Sequence, residues 1–192
     1  MKPHLGKCHI RLIKDVDYST MEGIYLGHEG VDMPLGYFEL FKNTIRDESV
    51  IYVVAEADGR IVGGGGIAYF ESGYHASLLF GIVERSKCRM GFGTSILLSR
   101  LFCISSILPG CQLSLEATEW TSDFFARIGF IWHGNEEDER GNRFLHGSQM
   151  IYASDKETFR ALLNMGGVTV DTTVSDRIQS EHKNESIRRS AV

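Results

Sequence analysis

The segment from Val83 to Leu98 reads VERSKCRMGFGTSILL. It gathers Arg85, Lys87 and Arg89 ahead of Gly91-x-Gly93, and an apolar, helix-forming run follows. The first N–H groups of a helix have no intrahelical partner and carry partial positive charge. Glycines let a ligand come close to the backbone, and neighbouring cations add charge-assisted hydrogen bonds. Together these features suit an anion such as a pyrophosphate. A glycine pair with surface arginines also makes a plain tight turn, so the surroundings have to decide. A dinucleotide fold places its first glycine directly after the strand and a third further on. Here a basic loop intervenes and the third position is Ile96. The Gly-Lys-Ser/Thr of a Walker loop is absent.

Composition bounds what can surround this segment. The chain has 192 residues, 43% hydrophobic and 23% charged, the make-up of one folded domain. A formal net charge of -5 gives no surplus for wrapping duplex nucleic acid. Cys8, Cys88, Cys103 and Cys111 show neither a CxxC pair nor ligand spacing, and no apolar run opens the chain. Reduced thiols, no metal and a cytoplasmic location are therefore expected. The most apolar stretch, Ser95 to Leu108, is interrupted by Arg100 and is shorter than the roughly 20 residues of a membrane span. No membrane partner is expected.

Hydrophobic periodicity predicts the elements. His9 to Lys14 alternates as a strand, and Asp15 to Leu26 and Tyr37 to Ile45 carry helical patterns around a loop at Gly27 to Pro34. Val50 to Glu56, Ile61 to Phe70 and Tyr74 to Val83 form an antiparallel meander turned at Asp58-Gly59 and Ser72-Gly73. Four glycines, Gly63 to Gly66, lie inside its middle strand. Gly93 to Leu108 places Ile96, Leu97, Leu98, Leu101, Phe102 and Ile104 on the apolar face of an amphipathic helix stopped by Pro109-Gly110. Gln112 to Ala117 follows as a strand, which implies a parallel, right-handed crossover. Thr121 to Ile128 reads as a short helix. Phe130 to His133 and Phe144 to Tyr152 flank an acidic turn and close the sheet as a hairpin. Ser154-x-x-Glu157 is a capping-box pattern before a helix that Gly166-Gly167 ends. The polar residues beyond Val168 read as a flexible or loosely docked tail. The fold class is α/β (α+β mixed): a largely antiparallel mixed sheet with one parallel strand-helix-strand crossover and helices on both faces.

Val83, Gly91, Gly93 and Leu97-Leu98 stand where the pyrophosphate loop of the GNAT superfamily of acyl-CoA-dependent N-acetyltransferases has its signature, and the segment resembles that loop. Cys88 takes the first motif position in place of Arg or Gln, with Arg89 beside it. LSLEATEWTSDFFARIGF, from Leu113 to Phe130, resembles the family's second signature, a strand and short helix ending in aromatic-x-x-x-Gly-Phe. The order of elements matches from about His9 to Tyr152. The resemblance implies a GNAT-like N-acetyltransferase domain at 1–153, a C-terminal helix at 154–167 and a polar tail at 168–192. It implies acetyl-CoA as acyl donor, with main-chain groups of Ile82 and Val83 pairing with the pantetheine arm. Cys88, Arg89, Met90, Gly91, Phe92, Gly93 and Thr94 would hold the pyrophosphate. Thr118 falls where the family often has an Asn touching the cofactor. Phe125 falls where it often has a Tyr that protonates the departing thiolate, and phenylalanine cannot donate a proton.

In the family, the amine reaches the thioester where two central strands splay. Glu116, on the face opposite Leu113, Leu115 and Ala117, or His75, which shares a face with Ser77, would then take the amine's proton. Read without the resemblance, Glu116 is a paired carboxylate and His75 a strand-end surface residue. His133 and His146 read as surface residues and Trp120 as a packing residue. Cys88 beside cations is either a lowered-pKa thiolate or an ordinary loop cysteine. Glu22, Glu29, Asp32 and Glu39, with Glu136 to Glu139, offer an acidic rim for a cationic amine. Three functions fit: an N-acetyltransferase acting on a primary amine of a small molecule or peptide, a non-catalytic acyl-CoA-binding regulatory domain, or a nucleotide-binding α/β module with Glu116 on a ribose. The first is the expectation adopted, with no nucleic-acid partner and a homodimer allowed.

Overall fold

The computed structural model describes residues 4–69, 74–152 and 154–190, the last seven of these by backbone alone. The elements in chain order are β1 (His9–Leu12), α1 (Tyr18–Leu26), α2 (Phe38–Arg46), β2 (Ile51–Ala57), β3 (Arg60–Tyr69), β4 (His75–Val83), α3 (Phe92–Ile107), β5 (Gln112–Ala117), α4 (Ser122–Ala126), β6 (Ile131–Glu137), β7 (Arg143–Met150), α5 (Asp155–Met165), β8 (Thr169–Val170) and α6 (Thr172–Ser190). The eight strands form one sheet in the order β6-β7-β5-β4-β3-β2-β1-β8. Pairing is antiparallel except at β4–β5 and β1–β8. Asp58 and Gly59 turn the β2–β3 hairpin with φ of 50° and 71°, the positive pair that a type I′ turn requires. The Ser72-Gly73 turn and Phe70 lie outside the described residues.

Two apolar clusters flank the sheet. On one face Met21, Ile24 and Tyr25 of α1 and Phe41 and Ile45 of α2 pack on Tyr52, Val54 and Ile82. On the other, α3 packs with α5 and α6 over Val53, Ala55, Leu113 and Leu115. β2 is buried on both faces over its first five residues, which is why it reads as a continuous apolar run rather than an alternating one. No helix among the described residues is long and apolar enough to cross a membrane.

Three expectations change. The helix from Gly93 is not amphipathic: Ser95, Ser99, Arg100 and Ser105 are buried along with its leucines and isoleucines. Arg100 turns into the sheet at Gly66, Ser95 bonds Gly6 of the N-terminal segment, and the outer face of the helix is covered through the second change. Residues 168–190 are not a flexible tail. Thr169–Val170 adds a strand beside β1, and α6 lays Val174 and Ile178, 1% and 0% exposed, against the core. Few apolar residues suffice here because they meet on one helix face and cover α3. Third, the capping box at Ser154 does not form. Ser154 has helical φ and ψ and makes no cap hydrogen bond, while Asp155 accepts the amide of Tyr152, ahead of the helix, at 2.7 Å.

Candidate functional site

β4 and β5 pair from His75↔Gln112 to Leu78↔Leu115 and then part. The β3–β4 register breaks alongside, between Gly64 and Gly66, and Phe80 takes a φ of 38°, rare for a bulky residue. This is a β-bulge, which bends a strand away from its partner. A cavity of about 710 Å³ opens at the gap. Tyr25 and Tyr37 line it from one face of the sheet, Arg100, Phe124 and Phe125 from the other, and Glu116 and Thr118 from the end of β5. The cavity thus joins the two faces.

At the head of α3, Arg89 and Gly91 adopt φ of 63° and 88° on either side of Met90. Left-handed residues ahead of a helix turn successive amides the same way and make an anion-binding concavity. The Ser95 amide donates to Gly91 O at 3.0 Å, so the amides of Phe92, Gly93 and Thr94 precede the first closed helical bond. The two glycines have different causes. A Cβ on Gly91 would stand 2.5 Å from the Gly6 nitrogen, and Ser95 Oγ fixes that N-terminal segment by donating to Gly6 O at 2.8 Å. The fold itself demands Gly91. A Cβ on Gly93 would meet only Val83 and Phe124, at 3.7 and 3.9 Å, which is ordinary contact. The approach to Gly93 is open, and that of Gly91 is taken by the chain.

The expected contacts along β4 are half available. Beyond Leu78 the strand has no partner on the β5 side. The Val83 carbonyl, however, already accepts from His28 Nε2 at 2.7 Å, and the other His28 nitrogen stands 2.6 Å from Asp32 Oδ1. His28 is buried, so this carbonyl is committed within the chain. Ile82 is buried in the α1–α2 face cluster. Cys88 is exposed. Partial burial and the Asp32 charge raise its thiol against the opposing effect of Arg85 and Arg89, the reverse of a reactive thiolate. Met90 is exposed and Phe92 buried.

Of the two candidate bases, Glu116 faces the cavity with a side chain 63% exposed, and its carboxylate lies 3.7 Å from His146 Nδ1. His146 also lies 3.4 Å from Glu136 and lines the cavity, so it is no ordinary surface residue. His75 opens the β4–β5 pairing, about 10 Å along the strand from the gap, so the structure does not bring it to Glu116. Thr118 is buried, and its carbonyl accepts the Thr121 and Ser122 amides at the start of α4. Phe125 is half-buried and meets Phe124 and Phe130 edge-on at 5.0 and 5.9 Å. Trp120 is 71% exposed at the cavity rim, not a packing residue.

The closing turn is built by its acid rather than left to solvent. Asp138 accepts from the Arg140 and Asn142 amides, from Asn142 Nδ2 and from Tyr37 Oη at 2.6 Å. The Tyr37 phenol is pushed up to about 12, first by that hydrogen bond and then by burial. The link fastens the β6–β7 turn to the head of α2 across the cavity. Tyr37 and Arg100 were not singled out from sequence as site residues. Arg100 alone left a trace, as the charge that interrupts an apolar helix. Among the described residues no group of three or more His, Cys, Asp or Glu could hold a metal ion.

No family model matches the chain, and no curated protein matches it in sequence. Similar solved structures include the ribosomal-protein-S18-alanine N-acetyltransferase from Escherichia coli, at a TM-score of 0.58 and 14% identity over 74% of this chain and 93% of that one. An aminoglycoside 6'-N-acetyltransferase complexed with coenzyme A gives 0.58 and 13% over 74% and 96%. An acetyltransferase of the GNAT family from Streptococcus pneumoniae gives 0.54 and 18% over 76% and 99%. The chain has the GNAT fold.

Proposed function

We propose that this protein is an N-acetyltransferase that moves the acetyl group of acetyl-CoA directly to a primary amine of a small molecule or peptide. The observation that carries the reading is the cavity through the sheet at the β4–β5 gap, with the head of α3 beside it. The open amides of Phe92, Gly93 and Thr94 and the space over Gly93 fit a pyrophosphate. The unpartnered edge of β4 fits an extended arm leading from it to the gap. Similar folds act on an amine of an aminoglycoside and on an alanine of a ribosomal protein, so both acceptor classes stay in the proposal.

The donor supplies an activated acyl carbon as its thioester. The amine nitrogen bonds to that carbon, the carbon–sulfur bond breaks, and the amine's proton leaves while the thiolate gains one. Glu116, which lines the cavity, takes the amine's proton in this reading, directly or through water. Phe125 cannot protonate the thiolate. A thiol pKa of about 8.5 makes thiolate a fair leaving group without an acid, so the enzyme turns over slowly rather than not at all. Phe125 equally favours a second reading, an acyl-CoA-binding regulatory domain without catalysis. Thiol release from acetyl-CoA over a panel of amines separates the two. Release that depends on one amine class and falls at least about tenfold in Glu116→Gln supports transfer, and binding without release for any amine supports regulation.

A further inference from the structure

Arg100 lies in the middle of α3, about 12 Å along the axis from Phe92. It is 3% exposed and lines the cavity. Its surroundings have been cleared for it. A Cβ on Gly65 would stand 2.8 Å from the guanidinium carbon, and one on Gly81 3.1 Å from Nη2. The glycine run of β3 and the glycine after the β4 bulge therefore make a window through which the guanidinium reaches the sheet. Against this, its bonding is meagre. Nη1 donates to Gly66 O at 2.9 Å, Nε is buried with no hydrogen-bond partner, and no ion pair is made by Arg100 among the described residues.

A buried guanidinium with five donors and one recorded acceptor is poorly compensated. Burial pulls it down to about 10, with Tyr52 opposing, so it stays cationic at neutral pH. A methionine or leucine would fill the same space without desolvating a charge. The α3 and β5 residues next to it are apolar or hydroxylic, and the nearest acid lining the cavity is Glu116 at its exposed end.

We propose that Arg100 is a specificity-determining residue that pairs with a carboxylate on the ligand filling this cavity. The inference rests on the acyl-transfer reading and narrows its substrate. The carboxylate has two sources. It is the distal carboxylate of a dicarboxylic acyl group on the thioester, or the carboxylate of an amino acid acting as acceptor. In either case it takes no part in bond making. The amine nitrogen still replaces sulfur on the acyl carbon, and the carboxylate keeps its charge through the reaction. The planar fork of arginine suits a carboxylate held by two bonds.

The test compares carboxylated and neutral partners of one shape. On the donor side, melting temperature and thiol release are measured with succinyl-CoA against butyryl-CoA. On the acceptor side, amino acids are compared with their amides in the presence of acetyl-CoA. Wild type is expected to favour the carboxylated member of one pair by about ten- to a hundredfold in kcat/KM, the range of a charge-assisted bond. The pair that responds identifies the source. Arg100→Met is expected to melt no lower than wild type and to bring that preference within about twofold, with Arg100→Lys in between; the response to CoA itself, which has no carboxylate, is the control. Equal treatment of both pairs by wild type overturns the inference while leaving acyl transfer standing if CoA still raises the melting temperature. A preference retained in Arg100→Met also overturns it. Failure of CoA and every thioester to bind removes acyl transfer and this inference together.

Discussion

Phe125 is the residue at which the site departs most from the pattern it resembles. It is half-buried, lines the cavity and keeps edge contacts with two phenylalanines. Phe125→Tyr adds one oxygen with little change in volume. If the ring faces the thioester, turnover of acetyl-CoA is unchanged or raised, within the about 10²–10⁴-fold that a general acid contributes. If the ring faces the core, the hydroxyl is buried without a partner, the melting temperature falls by the equivalent of about 1–3 kcal/mol and turnover per folded molecule does not move. The glycines give a paired test. Gly91→Ala is strained by its left-handed φ and by the Gly6 backbone, and it should unfold at lower temperature whether or not ligand is present. Gly93→Val should melt near wild type but bind CoA at least about tenfold more weakly, because its side chain enters only the space left for the ligand. Equal CoA affinity in Gly93→Val and wild type, by titration calorimetry, would place the anion elsewhere. From sequence, the two glycines looked alike. The left-handed φ of Gly91 and the packing of residues 4–6 on it separate them, and no local pattern announces a contact made across more than eighty residues.

A strand is legible in sequence where its apolar residues alternate or run on unbroken, and a helix face is legible where its polar residues meet solvent. β5 is legible to its observed bounds because Leu113, Leu115 and Ala117 alternate with polar residues. In α3 the serines and Arg100 look, in sequence, like the solvent face of an amphipathic helix. Arg100 instead turns into the sheet beside Gly65 and Gly66, Ser95 bonds the N-terminal segment at Gly6, and α5 and α6 cover the outer face of the helix. The same cause hid α6. Its helix is polar overall, and its stabilising contribution comes from a few aliphatic side chains whose partners lie far away in the chain. Deleting residues 168–192 removes the buried side chains of Val168, Val174 and Ile178, each worth about 1.5–3 kcal/mol. The truncated protein should lose at least about 4 kcal/mol and melt roughly 10 °C lower or more. A melting temperature within a degree or two of the full chain would show that these contacts contribute nothing. His75 lies away from the gap for a register reason. It shares its strand with the bulge but lies at the paired end, and a sequence pattern fixes the face of a strand better than the place where two strands part.

At the scale of the whole molecule, one network ties the first strand to the rest and sets an acid limit. Arg11 Nη1 meets buried Asp17 at 2.6 Å and its Nε meets Glu56 at 3.1 Å. Burial alone would raise the Asp17 carboxyl, but the Arg11 hydrogen bonds, the Lys14 amide and the Arg11 charge outweigh it and hold it below its ordinary 3.8. A depressed carboxylate contributes stability that is fully present above the unfolded value and is lost as pH falls through the folded one. Acid unfolding should therefore steepen below about pH 4, and Asp17→Asn should flatten that limb and lower stability at neutral pH by about 3 kcal/mol, since one partner of a largely buried pair is removed. An unchanged acid limb in the variant would remove Asp17 from the account. The central claim is that the cavity and the head of α3 are one binding site for an acyl-CoA. The most direct measurement is the melting temperature of the full chain with CoA, acetyl-CoA and a nicotinamide dinucleotide, each at millimolar concentration. A ligand at a hundred times its Kd stabilises the folded state by about 2.7 kcal/mol, a rise of several degrees at this size. The account predicts that rise for CoA and acetyl-CoA and none for the dinucleotide; no rise with either CoA species, or an equal rise with the dinucleotide, would contradict it.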